Sequence, residues 1–157
     1  MMREETSKQR IWSEKLYEKA SEFHGHGGPF MIVGLMMGLT ALNKLDAFGW
    51  FNISCTAYLR HEPPISCVID GIQSSTGCTM GKNNIHVRNS DGVVATFTSG
   101  DKTIRVELRS EVLTAILEKP DDDEEKTKWL MEQIIGKTDN ELFTITAHAH
   151  SLSRTCT

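Results

Sequence analysis

The stretch Cys67-Val68-Ile69-Asp70-Gly71-Ile72-Gln73-Ser74-Ser75-Thr76-Gly77-Cys78-Thr79-Met80-Gly81-Lys82-Asn83-Asn84 holds two thiols, a carboxylate, three amides, an amine, three glycines and several hydroxyls within eighteen residues. Pro63-Pro64 stops whatever precedes it, and Ser66 is suited to cap a new helix. Val68, Ile69 and Ile72 fall at helical spacing, and Gly77 suits the left-handed position just past a helix end. The spacing therefore predicts a short helix with Cys67 and Asp70 one turn apart on one face. Cys78 lies just beyond its end. A helix this short is expected to bend both thiols towards one point.

Several chemistries compete for this stretch. Thiolates are soft ligands that need further partners, which favours a transition ion. The spacing is far from the Cys-x-x-Cys of redox sites. Gly77-x-x-x-Gly81-Lys82 has one residue too few between its glycines for a phosphate loop, and Asn83 stands where Ser or Thr is required. The plain alternative is a pair of small buried hydrophobes, the usual place of a reduced cysteine.

The chain has 157 residues, 39% hydrophobic and 24% charged, as expected of one soluble globular domain spanning residues 1–157. A net charge of -4 gives no reason to expect a nucleic-acid or anionic-membrane partner. The polar start Met1-Met2-Arg3-Glu4-Glu5 has no apolar signal region, and cysteines at 55, 67, 78 and 156 form no disulfide pattern. A reduced cytoplasmic setting is the expectation. The longest apolar run, residues 30–39, falls short of the roughly 20 residues of a membrane span. Its Gly34-x-x-x-Gly38 is read as close packing inside a core.

Upstream, Thr6-x-x-Gln9 is a capping-box pattern, followed by Trp12, Leu16, Ala20 and Phe23 on one stripe of a helix ending near Glu22. Phe23-His24-Gly25-His26-Gly27-Gly28-Pro29 then forms a loose turn with two histidines. Pro29 opens a second helix, to about residue 43, that is apolar nearly all round and expected at the centre of the fold. The partial positive charge at its mouth favours neutral imidazole, the form that binds metals. Residues 51–60 alternate as a strand with Cys55 on the core face. Residues 85–88, 93–98 and 103–109 are three short strands read as an antiparallel meander. Two helices follow, the second beginning with the acidic run 121–125 and directing Trp129, Leu130 and Ile134 inward. Thr138-x-x-Glu141 caps one further turn. A last strand, residues 142–149, carries His148, with His150 just beyond, on a polar face. These histidines become ligands only if that face meets the site. Cys156 is incidental.

Imidazoles at one helix mouth and thiols around another helix make a mixed nitrogen and sulfur donor set. It suits zinc foremost, with nickel and iron as alternatives. The expected site has one ion near His24, His26 and Cys78, with Cys67 as the fourth donor. Asp70 or Gln73 is suited to orient a ligand from behind. Asp70 as base and Lys82 as holder of an anionic group are the catalytic candidates. Gln73, Thr79 and Asn83 are the candidates for contact with a cofactor or small ligand.

Together the two segments resemble the E subunit of formylmethanofuran dehydrogenase (FmdE) and its stand-alone relatives. That family has a Phe-His-Gly-His-x-Cys-Pro-Gly segment before a glycine-containing helix, matched by Phe23 to Phe30. Its Cys-x-x-Asp-x-Ile-Gln-x-x-Thr-Gly-Cys-Thr-x-Gly-Lys-x-Asn segment is matched almost entirely by Cys67 to Asn84. The resemblance implies an α+β core, an antiparallel sheet packed by helices. It further implies a metal-binding cleft, a homodimer and a small one-carbon or pterin-type ligand. It also implies association with molybdenum or tungsten oxidoreductases, as an enzyme or as a non-catalytic accessory or metal-delivery module. Two departures stand out. Gly28 replaces the cysteine of the first segment, and no C-terminal zinc finger follows, so the chain reads as the core domain.

Overall fold

The computed structural model describes residues 10–118 and 124–149. Six helices and five strands follow one another as α1 (Glu14–His24), α2 (Pro29–Leu45), β1 (Ser54–Leu59), α3 (Cys67–Thr76), β2 (Ile85–Arg88), β3 (Val93–Ser99), β4 (Lys102–Leu108), α4 (Ser110–Leu117), α5 (Glu124–Gly136), α6 (Asp139–Leu142) and β5 (Phe143–Ala149). The sheet order is β2-β1-β3-β4-β5. The fold is α+β, with a mostly antiparallel sheet.

The expected meander needs correction. β2 pairs in parallel with β1, in the register Cys55 with Ile85, and does not pair with β3. Parallel neighbours require a crossover of a dozen or more residues. The chain between Leu59 and Ile85 supplies it, with α3 inside. The central stretch is thus the crossover of a βαβ unit. Antiparallel pairing does hold between β3 and β4 and between β1 and β3. Alternation along β1 buries Cys55, Ala57 and Leu59 against the helices.

α2 is buried along almost its whole length, between the sheet on one side and α3 and α5 on the other. Its contact with α3 is made backbone to backbone. A Cβ on Gly34 would overlap the carbonyl oxygen of Val68, and one on Gly71 would overlap that of Met31. Further along, Gly38 faces Ser75 and Thr76. Contacts therefore advance in the same direction along both helices. α2 and α3 run parallel, with their N-termini at one end.

Local details differ from expectation at four places. α1 is capped by Ser13, whose hydroxyl accepts from the Leu16 amide, and it runs on to His24 before Gly25 takes the left-handed conformation. The Thr6–Gln9 pattern lies outside the described residues. Phe23 is 60% exposed and not on the buried stripe. Ser66 makes no side-chain cap, because residues 62–66 already form a helical lead-in, with the Ser66 amide donating to the Glu62 carbonyl and that of Cys67 to Pro64. On α5, Leu130 and Ile134 are buried whereas Trp129 is half exposed. The Thr138–Glu141 capping box is present, and it holds the Glu141 carboxyl below the usual carboxylate range.

Gly34→Ala should force α2 and α3 apart and cost about 3 kcal/mol, the upper part of the range for overpacking a core. Gly136→Ala, with open space around its Cβ position, should be neutral or stabilising by up to about 1 kcal/mol. Urea unfolding of both variants checks this. Equal stabilities would mean that the helices are not in backbone contact.

Candidate functional site

Because α2 and α3 are parallel, the turn before α2 meets the first turn of α3. His24 ends α1, His26 follows on the turn, and Cys67 and Asp70 occupy the first turn of α3. His24 Nδ1 lies 2.6 Å from Asp70 Oδ2. A carboxylate only accepts, so Nδ1 carries the proton and the lone pair of neutral His24 sits on Nε2. That Nε2 is buried and has no hydrogen-bond partner. His26 Nδ1 donates to the Gly27 carbonyl at 2.6 Å, which likewise leaves its lone pair on Nε2. The two rings stand 4.9 Å apart between centroids.

Both rings and Cys67 line a cavity of about 800 Å³. Trp12, Tyr17, Phe30, Met31, Met131 and Ile135 give it an apolar wall, while Glu14, Glu124, Glu132 and Lys128 add charged groups. This size suits a small ligand largely enclosed by protein. The share taken by α5 escaped the sequence reading. Glu124, Thr127, Lys128, Met131, Glu132 and Ile135 recur at helical spacing, a face distinct from the buried Leu130 and Ile134. That second stripe was the available signal.

The other end of α3 is a separate neighbourhood. Ten residues at ~1.5 Å each put roughly 15 Å between its ends. Cys78 is fully buried there, its thiol 3.6 Å from the Ile53 carbonyl oxygen, and it does not line the cavity. The expected convergence of both thiols is therefore not what the structure presents, since a straight helix holds them apart. Lys82 also lies at this end. Its Nζ donates to the Thr79 hydroxyl at 3.0 Å and stands 5.5 Å from the Phe51 ring centre. The Thr79 amide donates to Asn84 Oδ1, and Asn84 Nδ2 donates to the carbonyls of Trp50 and Ile53. Asn83 adopts a left-handed conformation on the exposed rim of this loop. Thr79 and Lys82 thus brace a loop, and neither they nor Asn83 reach the cavity. Gln73 follows Asp70 by one turn and is not part of the cavity wall. His148 pairs in register with Thr103 on the sheet face away from the helices, while His150 lies outside the described residues.

Among the described residues, no three His, Cys, Asp or Glu side chains converge closely enough to hold an ion by themselves. What the cavity wall holds is two imidazoles, one of them hydrogen-bonded to a carboxylate, and the Cys67 side chain. Imidazole and thiol are donor types that transition ions take, but the described residues do not by themselves complete such a site.

A family model described as "FmdE, Molybdenum formylmethanofuran dehydrogenase operon" matches residues 23–144. The match takes in both His24–His26 and the central stretch. The chain belongs to the FmdE family. A curated relative from Archaeoglobus fulgidus, described as a probable S-adenosyl-L-methionine-binding protein, is 36% identical over 75 residues, covering 45% of this chain and 20% of that protein. The chain thus spans about a fifth of that relative. A solved structure from Syntrophus aciditrophicus, of a protein like the FmdE component of tungsten formylmethanofuran dehydrogenase, superposes with a TM-score of 0.60 at 18% identity, over 90% of this chain and 74% of that one. This last likeness speaks for the fold. No described helix is long and apolar enough to cross a membrane.

Burial pushes the Cys55 thiol well up, helped by the neighbouring Cys78. It also raises Cys78, partly offset by the Thr76 hydroxyl and Lys82. Both hold their protons more tightly folded than unfolded. Their contribution to stability is full below the unfolded thiol value of about 8.5 and is lost as pH rises through it towards the folded values. The urea midpoint should therefore fall between about pH 8 and pH 10. Cys55→Ala should show a shallower fall. Parallel pH profiles for the two proteins would remove these thiols as the cause.

Proposed function

We propose that this FmdE-family chain binds one transition ion, zinc foremost, with His24 and His26 as nitrogen ligands and Cys67 as sulfur ligand. The ion would sit beside the two imidazoles in the cavity wall and act on, or carry, a small one-carbon or pterin-type ligand there. The observation that supports this reading is the buried, unpartnered Nε2 of His24. An acceptor left unsatisfied in a core costs about 1–3 kcal/mol, a cost that a bound ion would remove. Asp70 acts through His24 as a positioning residue. Its carboxylate fixes the tautomer and the orientation of the ring. The ion would supply Lewis-acid polarisation of a ligand oxygen or sulfur. The apolar wall from α1, α2 and α5 would exclude water and strengthen each polar contact inside.

A second reading assigns the same site to metal delivery within a molybdenum or tungsten enzyme system. The open donor set favours it, since a carrier must release its ion and a closed four-ligand site releases slowly. Of the residues read from sequence as catalytic, Asp70 keeps a role at this site, whereas Lys82 belongs to the opposite end of α3. A homodimer and an oxidoreductase partner belong to the same proposal.

Protein purified without a His-tag should contain or take up close to one equivalent of zinc, nickel or iron, measured by elemental analysis and equilibrium dialysis. His24→Ala should abolish uptake, and Asp70→Asn should weaken it about 10–100-fold. Cys78→Ser should leave it unchanged. Wild-type protein that takes up none of these ions would end the reading.

A further inference from the structure

Large apolar side chains stand out into solvent around the C-terminal end of α3, away from the cavity. Phe48 is 39% exposed, Trp50 57%, Phe51 86% and Met80 75%. The first three lie on the turn between α2 and β1, and Met80 lies on the loop after α3. Hydrogen bonds tie these segments together. The Trp50 amide donates to the Thr76 carbonyl and Asn84 Nδ2 donates to the Trp50 carbonyl, each at 2.7 Å. The Gly49 amide donates to Asn52 Oδ1, and the Ser99 hydroxyl donates to the Asn52 carbonyl. Trp50 itself is held at a φ of 60°, in the left-handed region where a side chain strains the backbone. Its ring lies over Gly77, where any Cβ would run into the indole Cδ1. The fold thus accepts strain and requires a glycine in order to fix an aromatic ring that stays more than half in water. Burial of that ring does not account for the arrangement.

We propose that this surface is the docking site for a different protein, through a face of that partner whose apolar centre is rimmed by carboxylates. The site is separate from the cavity and does not depend on an ion bound there. Three features select the partner. First, Trp, Phe and Met are the side chains enriched at the centres of protein interfaces, where Trp often carries much of the binding. Second, the charges set over these rings are both positive. The Arg10 guanidinium stands 6.0 Å from the Trp50 ring centre and donates to the Phe48 carbonyl. Lys82 Nζ stands 5.5 Å from the Phe51 ring centre and donates to the Thr79 hydroxyl. Neither forms an ion pair with a described carboxylate. In a chain of net charge -4 they are a local exception, and they complement an acidic rim. Third, a display fixed in advance lowers the ordering cost of meeting a face of definite shape. A fluid bilayer has no use for that fixed geometry. A second copy docked through the same surface would bring two pairs of cations together across its two-fold axis.

The probes are a capped acidic peptide, Glu-Leu-Phe-Glu-Leu-Glu, and the same peptide with lysine in place of each glutamate. Each is titrated into isotope-labelled protein and followed by amide chemical shifts. The acidic peptide should shift residues 49–52 and 79–82 to saturation, and the basic one should bind at least roughly fivefold more weakly. Phe51→Ser should weaken the acidic peptide at least roughly tenfold while leaving the urea midpoint unchanged. Arg10→Glu combined with Lys82→Glu should reverse the preference between the peptides. Should that double variant fail to fold, Lys82→Gln, which keeps a donor for Thr79, should narrow the preference. Equal binding of both peptides, no binding of either, or indifference to Phe51→Ser would overturn the proposal. A dimer in sedimentation that Phe51→Ser dissociates would assign the surface to a second copy and overturn it too. So would Phe51-dependent co-sedimentation with vesicles of equal parts phosphatidylglycerol and phosphatidylcholine, which would assign it to a lipid surface.

Discussion

The backbone contact between α2 and α3 governs this molecule. Gly34 and Gly71 meet with no side chain between them, and Gly38 continues the contact against Ser75 and Thr76. Glycine at these points is a matter of space, because any Cβ would occupy the other helix. The direction of the contact matters as much as its closeness. Parallel helices have their N-termini at one end, so the turn holding His24 and His26 arrives beside Cys67 and Asp70 although about forty residues separate them in sequence. Antiparallel packing would have delivered Cys78 and Lys82 there instead.

This single geometric choice sorts the chemistry of the central stretch into two groups. The first turn of α3 faces the cavity and shares a carboxylate–imidazole hydrogen bond with α1. The residues after its last turn are occupied with the loop itself, with Asn84 tying it to Trp50 and Ile53 and Lys82 bonded to Thr79. A motif dense in reactive groups is thus half site and half scaffold. Cys78 has no exposed surface.

Much of this was legible in the sequence, and the limits have physical causes. Pro29 and an almost continuous apolar run revealed α2 and its burial, and Gly34-x-x-x-Gly38 revealed that something would approach it closely. Alternation revealed β1 and β4, because a period of two records which face is buried, and the turns on either side revealed β3. Periodicity does not record which strand is a neighbour, so the parallel pairing of β2 with β1 stayed hidden behind a plausible meander. Likewise, local spacing placed Cys67 and Asp70 on one face of a helix but said nothing of the orientation in which α2 would dock. That orientation decides which thiol meets the histidines. The contribution of α5 was missed for a third reason: the apolar stripe at Trp129, Leu130 and Ile134 drew the reading, and only the fold shows that the neighbouring stripe with Met131 and Ile135 borders a cavity.

The parallel β1–α3–β2 crossover sits in a sheet whose other pairs are antiparallel. The β3–β4 hairpin turns at Gly100 and closes on contacts near in sequence, at little entropic cost. The edge strand β2 joins β1 only across the long crossover that carries α3. The β1–β2 pairing thus joins segments distant in sequence, whereas the hairpin closes locally.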